Sequence, residues 1–181
     1  MGHGRRGVGV VTRLNGRPEN PMNRKAYIAM GSNLGDRRHH LQQAAALLGK
    51  VRGVVVRRVS EFLQTEPVGG PPGQEKYLNA AMGIDTALAP QELLGALHRI
   101  ERQLGRDRSK EQRWGPRTCD LDLLMMEDMV IDTAELTLPH PRMHERLFVL
   151  RPLAQIAPDA VHPVLKKTVA ELLADLAQRH K

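Results

Sequence analysis

The run Arg113-Trp114-Gly115-Pro116-Arg117-Thr118-Cys119-Asp120-Leu121-Asp122 sets fixed cations directly beside two carboxylates one residue apart. Side chains alternate along an extended chain, so on a strand Asp120 and Asp122 share one face and Leu121 points the other way. Two oxygen donors then stand side by side. Like charges that close raise each other's pKa unless a cation lies between them, which makes a hard divalent ion such as Mg²⁺ the natural occupant. Arg113 and Arg117 then serve as clamps for the anions that such a metal would bind. Paired carboxylates with neighbouring guanidiniums describe a polyphosphate site, because phosphoryl transfer needs charge neutralisation and alignment above all.

The elements that must position this run are regular. Ala26–Met30 reads as a buried strand that stops at Gly31-Ser32-Asn33-Leu34-Gly35-Asp36. A strand, a Gly/Ser/Asn turn and a helix resemble a phosphate loop, but the Walker lysine is missing and the turn alone is a weak signal. Residues 38–50 follow as a helix with Leu41, Ala44, Ala45, Leu47 and Leu48 inward. Val51–Phe62, rich in β-branched residues, reads as a second strand bent near Gly53. Residues 64–73 hold Pro67, Gly69, Gly70, Pro71, Pro72 and Gly73 and are expected to be a loop. Tyr77–Thr86 is a third strand. Pro90–Leu104 is a helix that opens on proline and closes at Gly105. After a charged loop over 106–115, Thr118–Met126 is the fourth strand, with Val130 and Ile131 a short return beyond the Glu127-Asp128 turn.

This order of strand, helix, strand, strand, helix, strand predicts an α+β fold with a ferredoxin-like βαββαβ core, a mainly antiparallel sheet flanked by helices. Residues 139–181 add a Pro-rich segment and a terminal helix over Val169–Arg179. Residues 1–24 lack periodicity and read as a flexible basic extension; residues 25–181 read as a single domain.

Composition narrows the classes further. The net charge of +7 hints at nucleic acid. Yet Arg5, Arg6, Arg13, Arg17 and Arg24 against Glu19 alone put more than half of that excess in the extension. The remaining basic cluster, from Arg99 to Arg117, is interrupted by Glu101, Asp107 and Glu111 and suits a compact anion better than a duplex. Aromatic residues are 3% of the chain, so the core must be aliphatic and each aromatic is a candidate stacking surface. Cys119 is the only cysteine, which excludes an internal disulfide and a cysteine-based metal site and fits a reducing cytoplasm. No apolar run approaches the roughly 18 residues of a spanning helix, and no signal-peptide core is present at the amino terminus. No membrane association is expected.

Four blocks, Ala26-Tyr27-Ile28-Ala29-Met30-Gly31-Ser32-Asn33-Leu34-Gly35, Tyr77-Leu78-Asn79-Ala80-Ala81, Arg113 to Asp122, and Leu138-Pro139-His140, together resemble the 6-hydroxymethyl-7,8-dihydropterin pyrophosphokinase family of folate biosynthesis. The likeness runs from about residue 26 to residue 163. It implies Mg²⁺-dependent transfer of pyrophosphate from ATP to the pterin hydroxymethyl group, with AMP released. In such a protein Asp120 and Asp122 are the metal ligands, for two Mg²⁺ ions. ATP contacts match Glu101, Arg106, Arg108, Arg113, Trp114, Arg117, Leu123, Thr137, His140 and Arg146; Lys110 stands in the loop where the family carries a lysine, and His98 lies near the nucleotide. Arg106 and Arg108 are the expected catalytic arginines, alongside Asp120 and Asp122. The pterin lies between rings matching Tyr77 and Phe148, with Asn79 at the heterocycle edge, the backbone of Thr65, Glu66, Pro67 and Val68 beside it, and Trp114 at its border.

The likeness has departures: Glu66 replaces a proline, His98 a glutamine, Pro141 a tyrosine, and Glu135 an arginine, and the arginine loop is one residue longer. Glu101 carries a second reading, as the anchor of a loop arginine in the ligand-free protein. His39, His40 and His144 are expected at the surface. The competing class is a nucleic-acid-binding module on a related sheet, which calls for adjacent aromatics on the central strands. Partners are therefore expected to be ATP and the pterin, without nucleic acid, and the protein is expected to be a cytoplasmic monomer.

Overall fold

The structure is a computed structural model, and it describes residues 10–13, 24–106 and 115–179. Four strands make the predicted core. They are β2 (Arg24–Ser32), β3 (Val54–Val59), β5 (Tyr77–Thr86) and β6 (Asp120–Met126), in the spatial order β3-β5-β2-β6 with every pairing antiparallel. The helices α1 (Arg37–Gly49) and α2 (Pro90–Gln103) fill the two crossovers, which is the ferredoxin-like order expected from the sequence.

Local signals account for the helix ends. Asp36 caps α1 by accepting His39 N–H at 3.0 Å, just past Gly35 at φ 67°. Pro90 opens α2 and Gly105, at φ 87°, follows its end. The terminal helix α4 (Val169–Arg179) starts on a reciprocal box, with Thr168 N donating to Glu171 Oε2 at 2.7 Å and Glu171 N to Thr168 Oγ1 at 3.2 Å.

Both faces of the sheet are covered over part of their length. Ile28, Met30, Leu78, Ala80, Met82, Leu121 and Leu123 pack against α1 and α2, whereas Ala81, Leu124 and Met125 pack against α4 and a helix α3 (Leu147–Ile156). Among the described residues the buried hydrophobic side chains include no Phe, Tyr or Trp, so the core is aliphatic, as the composition requires.

Four differences from the sequence reading have physical causes. The second strand starts only after Gly53, whose φ of 83° makes a turn rather than a bend within a strand. It also breaks at Ser60, whose N–H donates to Ala81 O at 2.9 Å and whose hydroxyl accepts Ala81 N–H at 2.8 Å; the chain then resumes as β4 (Leu63–Thr65), which runs into the start of the expected loop. The helix α3 went unpredicted because Pro152 lies in its interior, a position that normally signals a break. Finally, β1 (Val10–Arg13), within the extension, pairs with β7 (Met129–Asp132), which also pairs with β8 (Thr137–Leu138). Among the described residues no helix is long and apolar enough to cross a membrane.

Cys119 sits on the α1/α2 side, fully buried, with its thiol pushed up to about 12 by burial and then by the nearby Glu101 and Asp120 charges. We expect this thiol to be inert to alkylating reagents at pH 8 in the native protein and to react at the rate of unfolding, measured by mass shift against denaturant. Rapid labelling of the folded chain would contradict the burial.

Candidate active site

Three adjacent strands meet at the site in register. Gly31 of β2 lies opposite Asn79 of β5 on one side and Asp120 of β6 on the other, and Ala29 lies in the same way opposite Ala81 and Asp122. A Cβ placed on Gly31 would fall 3.4 Å from Asn79 Oδ1, 3.8 Å from the Tyr77 ring and 4.0 Å from Asp120 Cβ. Asn79, Tyr77 and Asp120 therefore face the same side, and Gly31 leaves the space between them open. It is the α3 side, since Ala29 and Ala81 belong to that core, while Leu121 is turned into the opposite one. The shared face predicted for Asp120 and Asp122 is thus present.

The two acids have opposite surroundings. Arg106 Nη1 makes a short contact with Asp120 Oδ1, and Arg117 Nη1 donates to Asp120 Oδ2 at 2.8 Å. Burial alone would raise the Asp120 pKa, but the two guanidiniums outweigh it and hold the carboxyl below its ordinary range. Asp122 has no such ion pair among the described residues. Its pKa is pushed up to about 7, first by burial and then by the Asp120 charge, with Arg146 opposing.

Arg106 is a buried strut. Its side chain is 3% exposed, lies 2.5 Å from Glu101 Oε1 and donates to Cys119 O at 3.4 Å. Glu101 Oε1 also accepts Leu121 N–H at 2.8 Å, so this carboxylate fixes both the arginine and the start of β6. The anchoring role considered for Glu101 from the sequence describes this geometry, in which it faces Arg106 rather than open space.

On the β5 side, Asn79 Nδ2 donates to Thr65 Oγ1 at 2.7 Å and the Tyr77 hydroxyl donates to Gly115 O at 3.4 Å. Glu66 pairs with Lys76 at 2.5 Å across the loop base; Pro67 is half-buried and Val68 exposed. Beyond β8, His140 N donates to Leu124 O at 2.7 Å, which hangs the His140 segment on β6 close to the acids. The His140 pKa is lowered by burial and by Arg146, so the ring is neutral at pH 7. Arg146 lies 5.7 Å over the Phe148 ring at the start of α3.

Thr137 is exposed on β8. Leu123 turns its side chain into the α1/α2 core, leaving only its main chain for a ligand, and His98 is half-buried on α2. Arg108, Lys110, Arg113 and Trp114 lie outside the described residues. Sequence reasoning missed Asn33 and Gln74, which tie the surrounding loops together; their only signal was an asparagine in a turn whose chemistry looked local.

The donor set fits a hard divalent cation. One carboxylate is ionised, and the pKa of its neighbour is raised to about 7 by burial and then by that charge, an arrangement that a cation between them would relieve. Among the described residues no group of three or more His, Cys, Asp or Glu could hold a metal alone. A Mg²⁺ ion bound by two carboxylates, with phosphate oxygens and water completing its shell, needs no such group.

Fold and site together define an antiparallel α+β domain that carries an acidic pair on one face of its sheet, with Arg106 and Arg117 bound to the first acid. The family profile for 7,8-dihydro-6-hydroxymethylpterin-pyrophosphokinase (HPPK) matches residues 27–158, most of the chain. The chain belongs to this family. It is 53% identical, over 135 residues, to the 2-amino-4-hydroxy-6-hydroxymethyldihydropteridine pyrophosphokinase of Bacillus subtilis (strain 168), covering 75% of this chain and 79% of that protein. It is 36% identical to the bifunctional protein FolKE of Lactococcus lactis subsp. lactis (strain IL1403), covering 85% of this chain and 44% of that one. The crystal structure of Plasmodium falciparum HPPK-DHPS superposes with a TM-score of 0.69 at 15% identity, over 88% of this chain and 42% of that one, and attests the fold. The chain thus spans under half of the latter two.

Proposed function

We propose that the protein transfers pyrophosphate from ATP to the hydroxymethyl group of 6-hydroxymethyl-7,8-dihydropterin, giving the pterin diphosphate and AMP. The observation that supports this most directly is the row Asn79, Gly31, Asp120, which puts a heterocycle-reading amide and a metal-binding carboxylate on one face with no side chain between them. Asn79 can donate and accept, matching a pterin edge that presents both kinds of group, and its bond to Thr65 fixes which atoms it offers. Tyr77 at the head of β5 and Phe148 at the head of α3 offer rings for the pterin faces.

Asp120 and Asp122 would hold two Mg²⁺ ions. When bound, these supply charge that draws the ATP phosphates and the attacking hydroxyl together and lowers the pKa of that hydroxyl. Arg117, Arg146 and neutral His140 are the described groups placed to bind phosphate around the acids, and Arg106 reaches it only by leaving Asp120. Arg108, Lys110, Arg113 and Trp114 keep the roles that the resemblance implies. Of the aromatics on the central strands β2 and β5, Tyr77 alone lies beside the acids, since Tyr27 packs with the α3 core; the paired stacking platform of a nucleic-acid module is not built there.

Incubation with ATP, Mg²⁺ and the reduced hydroxymethylpterin, followed by mass analysis, is expected to show AMP and the pterin diphosphate in equal amounts. ADP as the sole nucleotide product would refute the proposed bond cleavage.

A further inference from the structure

Between β3 and β4 the chain gains one residue on its neighbour. Val59 lies opposite Met82 and Leu63 opposite Asn79, so four steps along this chain run against three along β5. Ser60 is bonded to Ala81 through both its N–H and its hydroxyl, which leaves Glu61 and Phe62 against Ala80 alone, an insertion of the bulge kind.

The pair at the head of this insertion is buried, with Ser60 8% and Ala81 1% exposed. In a regular hydrogen-bonded pair the two opposed residues exchange both N–H to carbonyl bonds. Here Ser60 N–H donates to Ala81 O at 2.9 Å in the ordinary way, but Ala81 N–H donates to the Ser60 hydroxyl at 2.8 Å, and that hydroxyl donates in turn to Glu61 O at 2.9 Å. The side chain takes the acceptor position of its own carbonyl and binds the first residue of the insertion. Both bonds need a hydroxyl on Cβ; threonine supplies one and alanine does not.

The insertion decides what stands beside Asn79. With it, Thr65 lies opposite Tyr77 and its Oγ1 accepts from Asn79 Nδ2 at 2.7 Å. Pairing continued from Ser60 without it would set Phe62 opposite Asn79 and Gln64 opposite Tyr77, and would turn Thr65 to the other side of the sheet. Asn79 would then lose the partner that fixes which end of its amide it presents.

We propose that Ser60 is a positioning residue for the pterin side: its hydroxyl pins the insertion after β3, and the insertion aims Thr65 at Asn79. The proposal rests on the pyrophosphokinase reading.

The test measures, by calorimetry, the affinity for 6-hydroxymethyl-7,8-dihydropterin in the presence of Mg²⁺ and a saturating unreactive ATP analogue, and separately the affinity for that analogue. Ser60→Ala is expected to weaken pterin binding about tenfold, the scale of one hydrogen bond, and to change analogue binding less than about twofold. Ser60→Thr should keep pterin affinity within about threefold of the wild-type value. Deleting Glu61 from the Ser60→Ala chain removes the insertion itself, so the ladder can run straight to Leu63 opposite Asn79, and should restore pterin binding to the same range. Cross-strand nuclear Overhauser contacts to Tyr77, which need no ligand, should come from Thr65 in the wild-type, Ser60→Thr and Glu61-deleted proteins and from Gln64 in Ser60→Ala. Wild-type pterin affinity in Ser60→Ala, an equal loss in Ser60→Thr, no recovery on deleting Glu61, or contacts that stay with Thr65 in Ser60→Ala would each overturn the proposal. If Ser60→Ala does not fold, the Glu61-deleted form decides alone. Failure of the wild-type protein to bind the pterin instead overturns the pyrophosphokinase reading, while the contacts at Tyr77 still decide whether Ser60 sets the register.

Discussion

Asp122→Asn is expected to abolish turnover and, at pH 8, to raise the melting temperature of the ligand-free protein. The folded-state pKa of Asp122, about 7, lies above its unfolded value of 3.8, so the native state holds this proton more tightly. The stability linked to that proton is fully present below 3.8 and is lost as pH rises through 7. Asparagine never ionises and escapes the loss. Each pKa unit corresponds to about 1.4 kcal/mol, which puts the unscreened effect at about 4 kcal/mol; Asp122 is only half-buried, and with solvent screening a gain of about 2 kcal/mol, or about 5 °C in Tm for a chain of this length, is expected at pH 8 and should fade toward pH 4. Asp120→Asn should do the reverse. The pKa of that carboxyl is depressed by Arg106 and Arg117, so its stabilisation exists above the unfolded value; at pH 8 the substitution breaks a largely buried ion pair and should cost about 3 kcal/mol. Both variants should lose about 10³-fold or more in AMP formation, the upper range for removing one electrostatic stabiliser. Scanning calorimetry at pH 5 and pH 8 beside the AMP assay checks all of this; a turnover-competent Asp122→Asn protein, or one less stable than the parent at pH 8, contradicts the assignment.

The second large effect is expected at Arg106. Its guanidinium is enclosed between Glu101 and Asp120, with Glu101 itself 1% exposed. Arg106→Met leaves the Glu101 charge buried opposite an apolar side chain, a situation that costs about 3–5 kcal/mol. A fall in Tm of about 10 °C should follow. The double variant Glu101→Gln/Arg106→Met removes both charges, while the carbonyl of the introduced glutamine can still accept Leu121 N–H, and should recover most of that loss. Its turnover is expected to stay far below the parent's in single-turnover kinetics, because the arginine that would bear on the transferred group is gone. Parental turnover in the double variant would reduce Arg106 to a purely structural residue.

The sheet was legible because its strands alternate cleanly. Tyr77–Thr86 carries Leu78, Ala80, Met82 and Ile84 on one side and small or polar groups on the other, and its observed limits match those expected. The acidic pair was legible for the same reason, two residues apart on a strand. Partner choice was not. Nothing in the spacing of Asp120 and Asp122 says that two arginines neutralise the first and none of the described residues pairs with the second, since Arg106 reaches Asp120 from the end of a helix on the opposite side of the sheet. Asn33 was hidden for a related reason: its partners are 41, 42 and 84 residues away, whereas turn asparagines ordinarily bond to their own neighbours. The helix α3 was obscured by Pro152, which is tolerated because Val149, Leu150 and Leu153 bury that stretch beneath the sheet.

The pairing of β2 with β6 skips one residue, with Tyr27 opposite Met125 and Ile28 opposite Leu123, leaving Leu124 as an unmatched insertion. Such an insertion separates the alignment of the two ends of the strand. Changes of length introduced at the Glu127-Asp128 hairpin can be taken up there, whereas a one-residue change between Asp122 and Leu123 would turn both acids to the wrong side of the sheet, and one between the acids would part their faces. Tolerance to sequence drift in this protein is therefore directional: generous at the far end of β6 and nearly absent at the end that holds the acids.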